Sequence, residues 1–210
     1  PSSFFFFSHL SKKKNQLSTL LSISTNMKNI LVTGSYSVGK SSVIDDLEKK
    51  IPYEKRIITQ DTARFYLRKK GLNSNDLTTQ QKVELQTFVI ASYIGSVMQS
   101  EHSRIMGVMD GSLIEACAYS EGLPLGEALR DKLYEYLSDY RNHSVAYVLP
   151  PTIPLENDGL RHNDKEFRIA IHQKIMEIIA AFNIPHHLVS FQSVGYRADE
   201  ILHTHNTKFA

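Results

Sequence analysis

Residues 29–42 read Asn-Ile-Leu-Val-Thr-Gly-Ser-Tyr-Ser-Val-Gly-Lys-Ser-Ser, an apolar run followed by the pattern Gly-x-x-x-x-Gly-Lys-Ser. The β-branched run predicts a strand, and the apolar spacing after the pattern predicts a helix that begins at Lys40. Glycines at positions 34 and 39 let the backbone between them turn tightly and direct its N–H groups inward. A glycine-rich turn could be merely structural, but its place between a strand and a helix favours a polyphosphate site.

Two side chains at the end of this loop have expected roles. Lys40 would reach the β- and γ-phosphates, and the Ser41 hydroxyl would ligand the Mg²⁺ that bridges them. The guanine-specifying sequence Asn-Lys-x-Asp does not occur in the chain, so we expect ATP rather than GTP. The predicted nucleotide-binding residues of the loop are Gly34, Ser35, Ser37, Val38, Gly39, Lys40, Ser41 and Ser42.

Length and charge limit the classes of protein that the chain can belong to. The chain has 210 residues, 41% of them hydrophobic, which suits one domain with a tail. From Met27 onward 21 basic residues face 22 acidic ones, so we expect no nucleic-acid partner. No stretch approaches the roughly 20 apolar residues of a membrane span. Cys117 is the single cysteine, which excludes an intramolecular disulfide and, with the ATP chemistry, favours a cytoplasmic protein.

The first 26 residues differ in composition from the rest, with four consecutive phenylalanines, three consecutive lysines and no acid. Three explanations compete: an organellar transit peptide, a weak signal peptide, or an extension upstream of a native start at Met27. We favour the extension, because Met27 lies directly before the first predicted strand, and organellar import stays open if the segment is a transit peptide. The predicted domain therefore covers residues 27–210.

Strands and helices alternate along that domain. The pattern predicts a three-layer α/β fold with a mostly parallel sheet, whose ligands bind at the carboxyl ends of the strands. Predicted strands after the first cover residues 55–59, 104–109, 144–149 and 187–191. Predicted helices after the loop helix cover residues 61–70, 78–99, 113–120, 125–140 and 196–203, with another that Asp164 caps.

Acidic residues follow two of these strands. Asp110 comes directly after the third predicted strand. Burying a carboxylate beside the phosphate loop is costly unless it is paired or near a metal, so we expect Asp110 to be a second Mg²⁺ ligand. Asp61 follows the second strand and precedes a helix, so it suits both a functional role and an N-cap. Arg64, one turn later, is either a site residue or a surface ion-pair partner.

Further motifs follow the loop, and with it they carry a resemblance. They are Asp61-x-x-Arg64, Asp110-Gly-Ser-Leu-x-x-x-x-x-Tyr119, the segment from Val148-Leu-Pro-Pro to Asp158-Gly-Leu-Arg161, and Asp164-x-x-Phe167. Over roughly residues 28–192 the chain resembles the NadR-type ribosylnicotinamide kinase domain and the AAA-labelled P-loop group around it. The resemblance implies a P-loop NTPase fold of the nucleoside- and nucleotide-kinase kind, not a ring-forming motor ATPase.

The resemblance also implies an activity, the transfer of the γ-phosphate of ATP to a small hydroxyl acceptor such as ribosylnicotinamide or another nucleoside. It places Asp61 where the acceptor's proton is taken, Asp110 where Mg²⁺ is held through water, and Arg161 and Arg168 where lid arginines close over the phosphates. In this interpretation the catalytic residues are Lys40, Asp61, Asp110 and Arg161, and Arg64 and Arg168 join the nucleotide site. Tyr36 and Tyr119 could stack on a flat ring.

One position departs from the pattern. Many relatives carry an arginine after the third-strand acid, and here the residue is Gly111, so one phosphate-contacting cation is missing or is supplied by Arg64. Two other functions stay open: a nucleotide-dependent switch or plain ATPase of the same fold, and an ATPase acting on nucleic acid. The acceptor base argues against the first, and the balanced charge argues against the second.

Overall fold

The central strand of the sheet is the one that leads into the glycine-rich loop. The computed structural model describes residues 28–152, 164–190 and 192–209. Within these ranges five parallel strands form one sheet in the order β2-β3-β1-β4-β5, which confirms the predicted α/β fold. The strands are β1 (Asn29–Thr33), β2 (Arg56–Thr59), β3 (Met106–Asp110), β4 (Ser144–Val148) and β5 (His186–Leu188).

Helices follow the strands in the predicted alternation. They are α1 (Lys40–Lys50), α2 (Thr62–Lys70), α3 (Thr79–Ser103), α4 (Leu113–Tyr119), α5 (Glu127–His143), α6 (Lys165–Ala181) and α7 (Val194–Thr204). A π-helical turn, His205–Phe209, continues from α7.

The predicted bounds differ from the observed ones at several ends. Helix α3 runs four residues beyond the predicted end at residue 99, to an αL residue at Arg104. Helix α5 begins two residues later than expected because Leu125 is buried in the core and Gly126 forms the N-cap. Strand β5 begins one residue earlier than predicted and is shorter, with three residues.

The sheet lies between two layers of helices, and each layer has its own core. On one face, residues of α2–α6 pack against Leu31, Met109 and Ala146. On the other face, residues of α1 and α7 pack against Ile30, Val32 and Tyr147. All five residues of β1 are buried, because strands cover both of its edges and helices cover both of its faces. In the described ranges no helix is long and apolar enough to cross a membrane.

Local capping sets where the helices start. Thr78 and Gln81 form a capping box at the start of α3, and the Asp164 carboxylate accepts hydrogen bonds from two backbone N–H groups of α6. Gly71 ends α2 in the left-handed conformation. The predicted cap at Asp164 and the predicted end of α2 at residue 70 are both confirmed.

Parallel pairing brings the functional segments to one edge of the sheet. Val32 of β1 pairs with Asp110 of β3, and Thr59 of β2 pairs with Met109. The segments that leave β1, β2 and β3 therefore emerge side by side, and the glycine-rich loop, Asp61 and Asp110 lie at the same edge.

Helix α3 offers a direct test of the packing. Ile90 is fully buried in the larger core, so Ile90→Ala should lower the free energy of unfolding by about 2–5 kcal/mol. Met98 on the same helix is 54% exposed, and Met98→Ala should change that free energy by less than about 0.5 kcal/mol. Urea unfolding of both variants measures the difference, and equal losses would contradict this packing.

Candidate functional site

The glycine-rich loop is held tightly against the end of β4. The backbone carbonyl of Thr33 accepts a hydrogen bond from the Leu149 amide at 2.8 Å, which brings the two backbones together. A Cβ at Gly34, where φ is +149°, would lie 2.7 Å from the Leu149 carbonyl oxygen. Gly39 has φ +83°, directly before the first residue of α1. Both glycines are therefore required by the backbone, Gly34 for space and Gly39 for its conformation.

The loop presents backbone groups rather than side chains to a ligand. Among the described residues no side chain caps α1, so its first N–H groups are left to bind a ligand at the loop. The Ser35 side chain is fully buried, and within the described ranges its hydroxyl has no hydrogen-bond partner. The Val38 side chain packs in the smaller core, and Ser42 is exposed on α1. A phosphate would thus be bound by N–H groups, with Ser35 and Ser41 as the nearby hydroxyls.

Two buried arginines donate hydrogen bonds to backbone carbonyls of the loop. Arg168 of α6 donates to the carbonyl oxygens of Ser37 and Pro151, and Arg197 of α7 donates to that of Val38 at 3.3 Å. Burial lowers the pKa of Arg197 from its ordinary value. We predicted Arg168 as a nucleotide-binding residue, and the structure places it against the loop backbone. Arg197 was not predicted, because its burial follows from the docking of α7.

Lys40 lies at the base of the loop and is 8% exposed. Its ammonium donates to the carbonyl oxygens of Gly34 at 2.8 Å and Ser35 at 2.9 Å. It also lies 3.4 Å from a carboxylate oxygen of Glu115 on α4. The predicted phosphate-binding lysine is therefore paired with an acid.

Glu115 is a residue that the sequence analysis missed. Ser112 caps α4, and the helix carries Glu115 as its one charged residue. The Glu115 carboxylate accepts hydrogen bonds from the Thr33 hydroxyl at 2.9 Å and the Gly34 amide at 3.2 Å. Burial, opposed by Lys40 and Thr33, raises its pKa to about 7. A single acid in an otherwise apolar helix was the available signal.

Asp110 ends β3 at the same edge and is 3% exposed. Its backbone carbonyl accepts a hydrogen bond from the Tyr93 hydroxyl at 2.6 Å, and the next amide, of Gly111, donates to Val32. Asp110 and Ser41 line one groove, and oxygen ligands of these two kinds suit Mg²⁺. The residues present therefore fit the predicted metal site.

The glycine at position 111 has a structural cause. Gly111 has φ +88°, and a Cβ there would lie 2.4 Å from the Tyr93 hydroxyl and 3.3 Å from a carboxylate oxygen of Glu115. The Tyr93 hydroxyl, held in place by its hydrogen bond to the Asp110 carbonyl, thus occupies the space that a side chain at position 111 would need. The position accommodates no arginine in this arrangement.

Asp61 and Arg64 form a pair at the end of β2. An Asp61 carboxylate oxygen accepts a hydrogen bond from the Arg64 amide at 3.0 Å, so Asp61 is the N-cap of α2. The Arg64 guanidinium lies 3.6 Å from the other carboxylate oxygen. Both side chains also line the cavity beside Lys40, so capping does not remove Asp61 from the site.

A cavity of about 320 Å³ extends from Lys40 and Asp110 between α2, α3 and α4. Its polar end has Lys40, Asp61, Asp110 and Glu115, and its walls are mostly apolar. Aromatic rings line it too: Tyr36 and Tyr119, as predicted candidates, and Phe167, whose ring centre lies 6.2 and 6.3 Å from theirs.

Gln86 is the second cavity residue that the sequence analysis missed. It lies on the apolar face of α3, is 9% exposed and lines the cavity wall. Its side-chain oxygen is buried without a hydrogen-bond partner in the part of the chain that the structure describes. A buried amide of this kind is stabilised when a ligand supplies the missing hydrogen bond. A polar residue on an apolar helix face was the signal for it.

The predicted lid residue Arg161 lies outside the described residues, as do residues 153–163 and the N-terminal segment. Two histidines make contacts away from this site: His187 pairs with Glu200 at 2.7 Å, and the buried His205 pairs with the Tyr147 hydroxyl at 3.0 Å.

The fold and the loop together define a P-loop protein with the layout of a kinase. The AAA domain family AAA_28 matches residues 29–197, and the chain belongs to that family. No curated protein matches the chain.

Solved structures share the fold at low sequence identity. NadR in complex with NR has a TM-score of 0.65 and 18% identity over 87% of this chain and 52% of its own. NadR in complex with NAD and AMP-PNP has a TM-score of 0.62 and 17% identity over 87% of this chain and 51% of its own. Thymidylate kinase from Ehrlichia chaffeensis has 0.57 and 12%, over 84% of this chain and 97% of its own. The chain spans about half the length of the NadR chains. These likenesses confirm the predicted nucleoside- and nucleotide-kinase-like fold.

The space above Gly111 leads to a prediction. Gly111→Ala adds a steric conflict to the backbone strain. Gly122→Ala, at φ +74° with no atom of the described residues within 4 Å, adds strain alone. Gly111→Ala should therefore lower the free energy of unfolding by about 1–3 kcal/mol more than Gly122→Ala does. Adding Tyr93→Phe to Gly111→Ala should recover part of that difference. Urea unfolding measures all three variants, and equal losses at the two glycines would contradict the account.

Proposed function

We propose that the chain is a Mg²⁺-dependent phosphotransferase that moves the γ-phosphate of ATP to a small hydroxyl acceptor, a nucleoside such as ribosylnicotinamide. The observation that carries the proposal is a single cavity that joins the phosphate-loop lysine, Lys40, to two strand-end acids and an aromatic-lined pocket. A nucleotide switch needs the loop and the metal ligand, but it does not need an enclosed pocket beside them.

The arrangement supports direct transfer. The Asp61 carboxylate would accept the proton of the acceptor hydroxyl as that oxygen attacks the γ-phosphorus. The bond from the γ-phosphorus to the oxygen that bridges it to the β-phosphate breaks, and ADP leaves. Lys40 would stabilise the charge that develops on the transferred group and on ADP.

Ser41 and Asp110 would hold the metal, and when bound it neutralises charge on the β- and γ-phosphate oxygens. Arg161 and Arg168 stay part of the proposed nucleotide site, Arg161 through the resemblance and Arg168 through its contact with the loop residue Ser37.

The pocket favours a nucleoside over a nucleoside monophosphate. Besides Lys40, the described cations that line it are Arg64, which is paired with Asp61, and Lys82, which is exposed. A phosphorylated acceptor would need more positive charge than Arg64 and Lys82 together offer. The aromatic rings suit a flat ring, and Gln86 suits one that carries a hydrogen-bonding group. That NadR has been solved with NR, and with NAD and AMP-PNP, supports the same choice.

Asp61 can be tested apart from its capping role. Asparagine caps a helix about as well as aspartate, so Asp61→Asn should keep the unfolding temperature while it lowers turnover by about 10²–10⁴-fold. Asp61→Ala should lose both turnover and about 1 kcal/mol of stability. Asp131→Asn, at an exposed position of α5, is the matched control and should leave both unchanged. Normal turnover in Asp61→Asn would restrict Asp61 to the cap.

The acceptor can be found by incubating the protein with Mg·ATP and a panel of nucleosides, nucleoside monophosphates and small alcohols, and resolving products by mass. We expect a phosphorylated nucleoside, with ribosylnicotinamide as the best acceptor. Lys40→Ala should abolish the product, because the lysine stabilises the transferred group. Product from monophosphates alone would refute the nucleoside choice. ADP without any phosphorylated acceptor would instead favour the ATPase or switch.

Gln86 supplies a control for the acceptor end of the cavity. Gln86→Leu should raise the KM for the nucleoside about tenfold without changing the KM for ATP, because it removes one buried hydrogen bond. Gln80→Leu, at an exposed position of the same helix, should change neither value.

A further inference from the structure

Lys40 is held by contacts that compete with a nucleotide. Its ammonium donates to two loop carbonyls, of Gly34 and Ser35, and lies 3.4 Å from Glu115. To reach the β- and γ-phosphates, the same ammonium has to exchange part of these contacts for phosphate oxygens. Nucleotide binding therefore draws positive charge away from Glu115.

Glu115 is poorly placed to lose that charge. Its side chain is only 12% exposed, so water screens it little. The acids that face it are Asp110 from β3 and Asp61 from the start of α2, and the Tyr93 hydroxyl faces it from α3. Thr33 from β1 donates a hydrogen bond to it, and Lys40 from α1 is its cationic partner. A polyphosphate adds further negative charge on the same side.

We propose that Glu115 is a positioning residue that holds Lys40 against the loop carbonyls, and that it takes up a proton from solvent when a nucleotide polyphosphate draws Lys40 away. The proton goes to the carboxylate oxygen that faces Lys40, while the other oxygen keeps its hydrogen bonds from Thr33 and Gly34. This inference rests on the proposed function only in requiring that the loop bind a nucleotide.

The proton changes how affinity depends on pH. Burial raises the pKa of Glu115 to about 7, so the carboxyl is mostly protonated below pH 7 and mostly ionised above it. Binding that favours the protonated form is unaffected below pH 7 and weakens as pH rises above it, by up to about tenfold per unit. Above pH 7, the binding of each nucleotide should be accompanied by the uptake of close to one proton from solvent.

Calorimetry of Mg·ADP binding tests the proposal without an acceptor. Titrations at pH 8.0 in buffers of low and high ionisation enthalpy count the protons taken up, and titrations at pH 6.0 and 8.5 give the Kd. At pH 8.0 the wild type should take up close to one proton more per bound nucleotide than Glu115→Gln does. From pH 6.0 to pH 8.5 the factor by which the wild-type Kd rises should be about ten times the factor for Glu115→Gln. The comparison cancels the protonation of ADP itself. Glu84→Gln, at an exposed position of α3, is the matched control and should behave as the wild type does.

A second variant keeps Glu115 in place. Thr33→Val removes a hydrogen bond that favours the ionised carboxylate, so the midpoint of the pH dependence should move to higher pH. Equal proton uptake in the wild type and in Glu115→Gln would overturn the proposal, and so would weaker binding by Glu115→Gln at both pH values. Wild-type protein that binds no Mg·ADP at either pH would overturn the proposed function as well. Tight binding with a flat pH profile would overturn only the role of Glu115.

Discussion

The close approach of Gly34 to the carbonyl oxygen of Leu149 is the constraint on which the rest of the site depends. It allows β1 to pair with β4 up to its last residue and then leave the sheet at once. The chain turns there because no side chain blocks the turn, and α1 begins six residues later. The proposed phosphate contacts of the loop are built on that turn, since it fixes where the loop amides and Lys40 lie relative to the neighbouring strands.

Charge balance is the second requirement at this edge of the sheet. Lys40, Asp110 and Glu115 are all largely buried, and Asp61 with Arg64 lies beside them. Buried charges are tolerated when they are paired and hydrogen-bonded, and here each has at least one polar partner. Arg168 and Arg197 donate to carbonyl oxygens of the loop from α6 and α7, whereas the Glu115 carboxylate accepts a hydrogen bond from the Gly34 amide. Loop carbonyls are thus paired with arginines, and a loop amide is paired with an acid of the charged cluster.

Much of the fold follows from local patterns in the sequence. The strand, loop and helix of residues 29–50 were predictable because glycine spacing, β-branched residues and helical periodicity agree there. The caps at Asp61 and Asp164 were predictable for the same reason, since capping is local chemistry. Helix ends were less accurate: at Leu125, burial in the core overrode the pattern that begins a helix.

The parts of the site that the sequence did not predict depend on distant contacts. Glu115 meets Thr33 and Gly34 only because β3 lies beside β1, which places α4 next to the loop. At Gly111 the sequence shows only that an arginine is missing, whereas in the structure the hydroxyl of Tyr93 on α3 occupies the space that a side chain would need. Gln86 stands out in the sequence as a polar residue on the apolar face of α3, but its place in the cavity wall depends on how α3 packs. In each case the residue type was visible in the sequence, but its surroundings were set by tertiary packing.

The strand order also determines when this site can form as the chain folds. Strand β1 pairs with Met106–Asp110 on one side and Ser144–Val148 on the other, so its neighbours are both distant along the chain. Contacts of such long range form slowly, because closing the long intervening loop costs conformational entropy before the contact is made. During synthesis the glycine-rich segment emerges early but waits for Leu149 before its turn is supported. Until then the apolar strand is unpaired, and unpaired apolar strands are prone to aggregate.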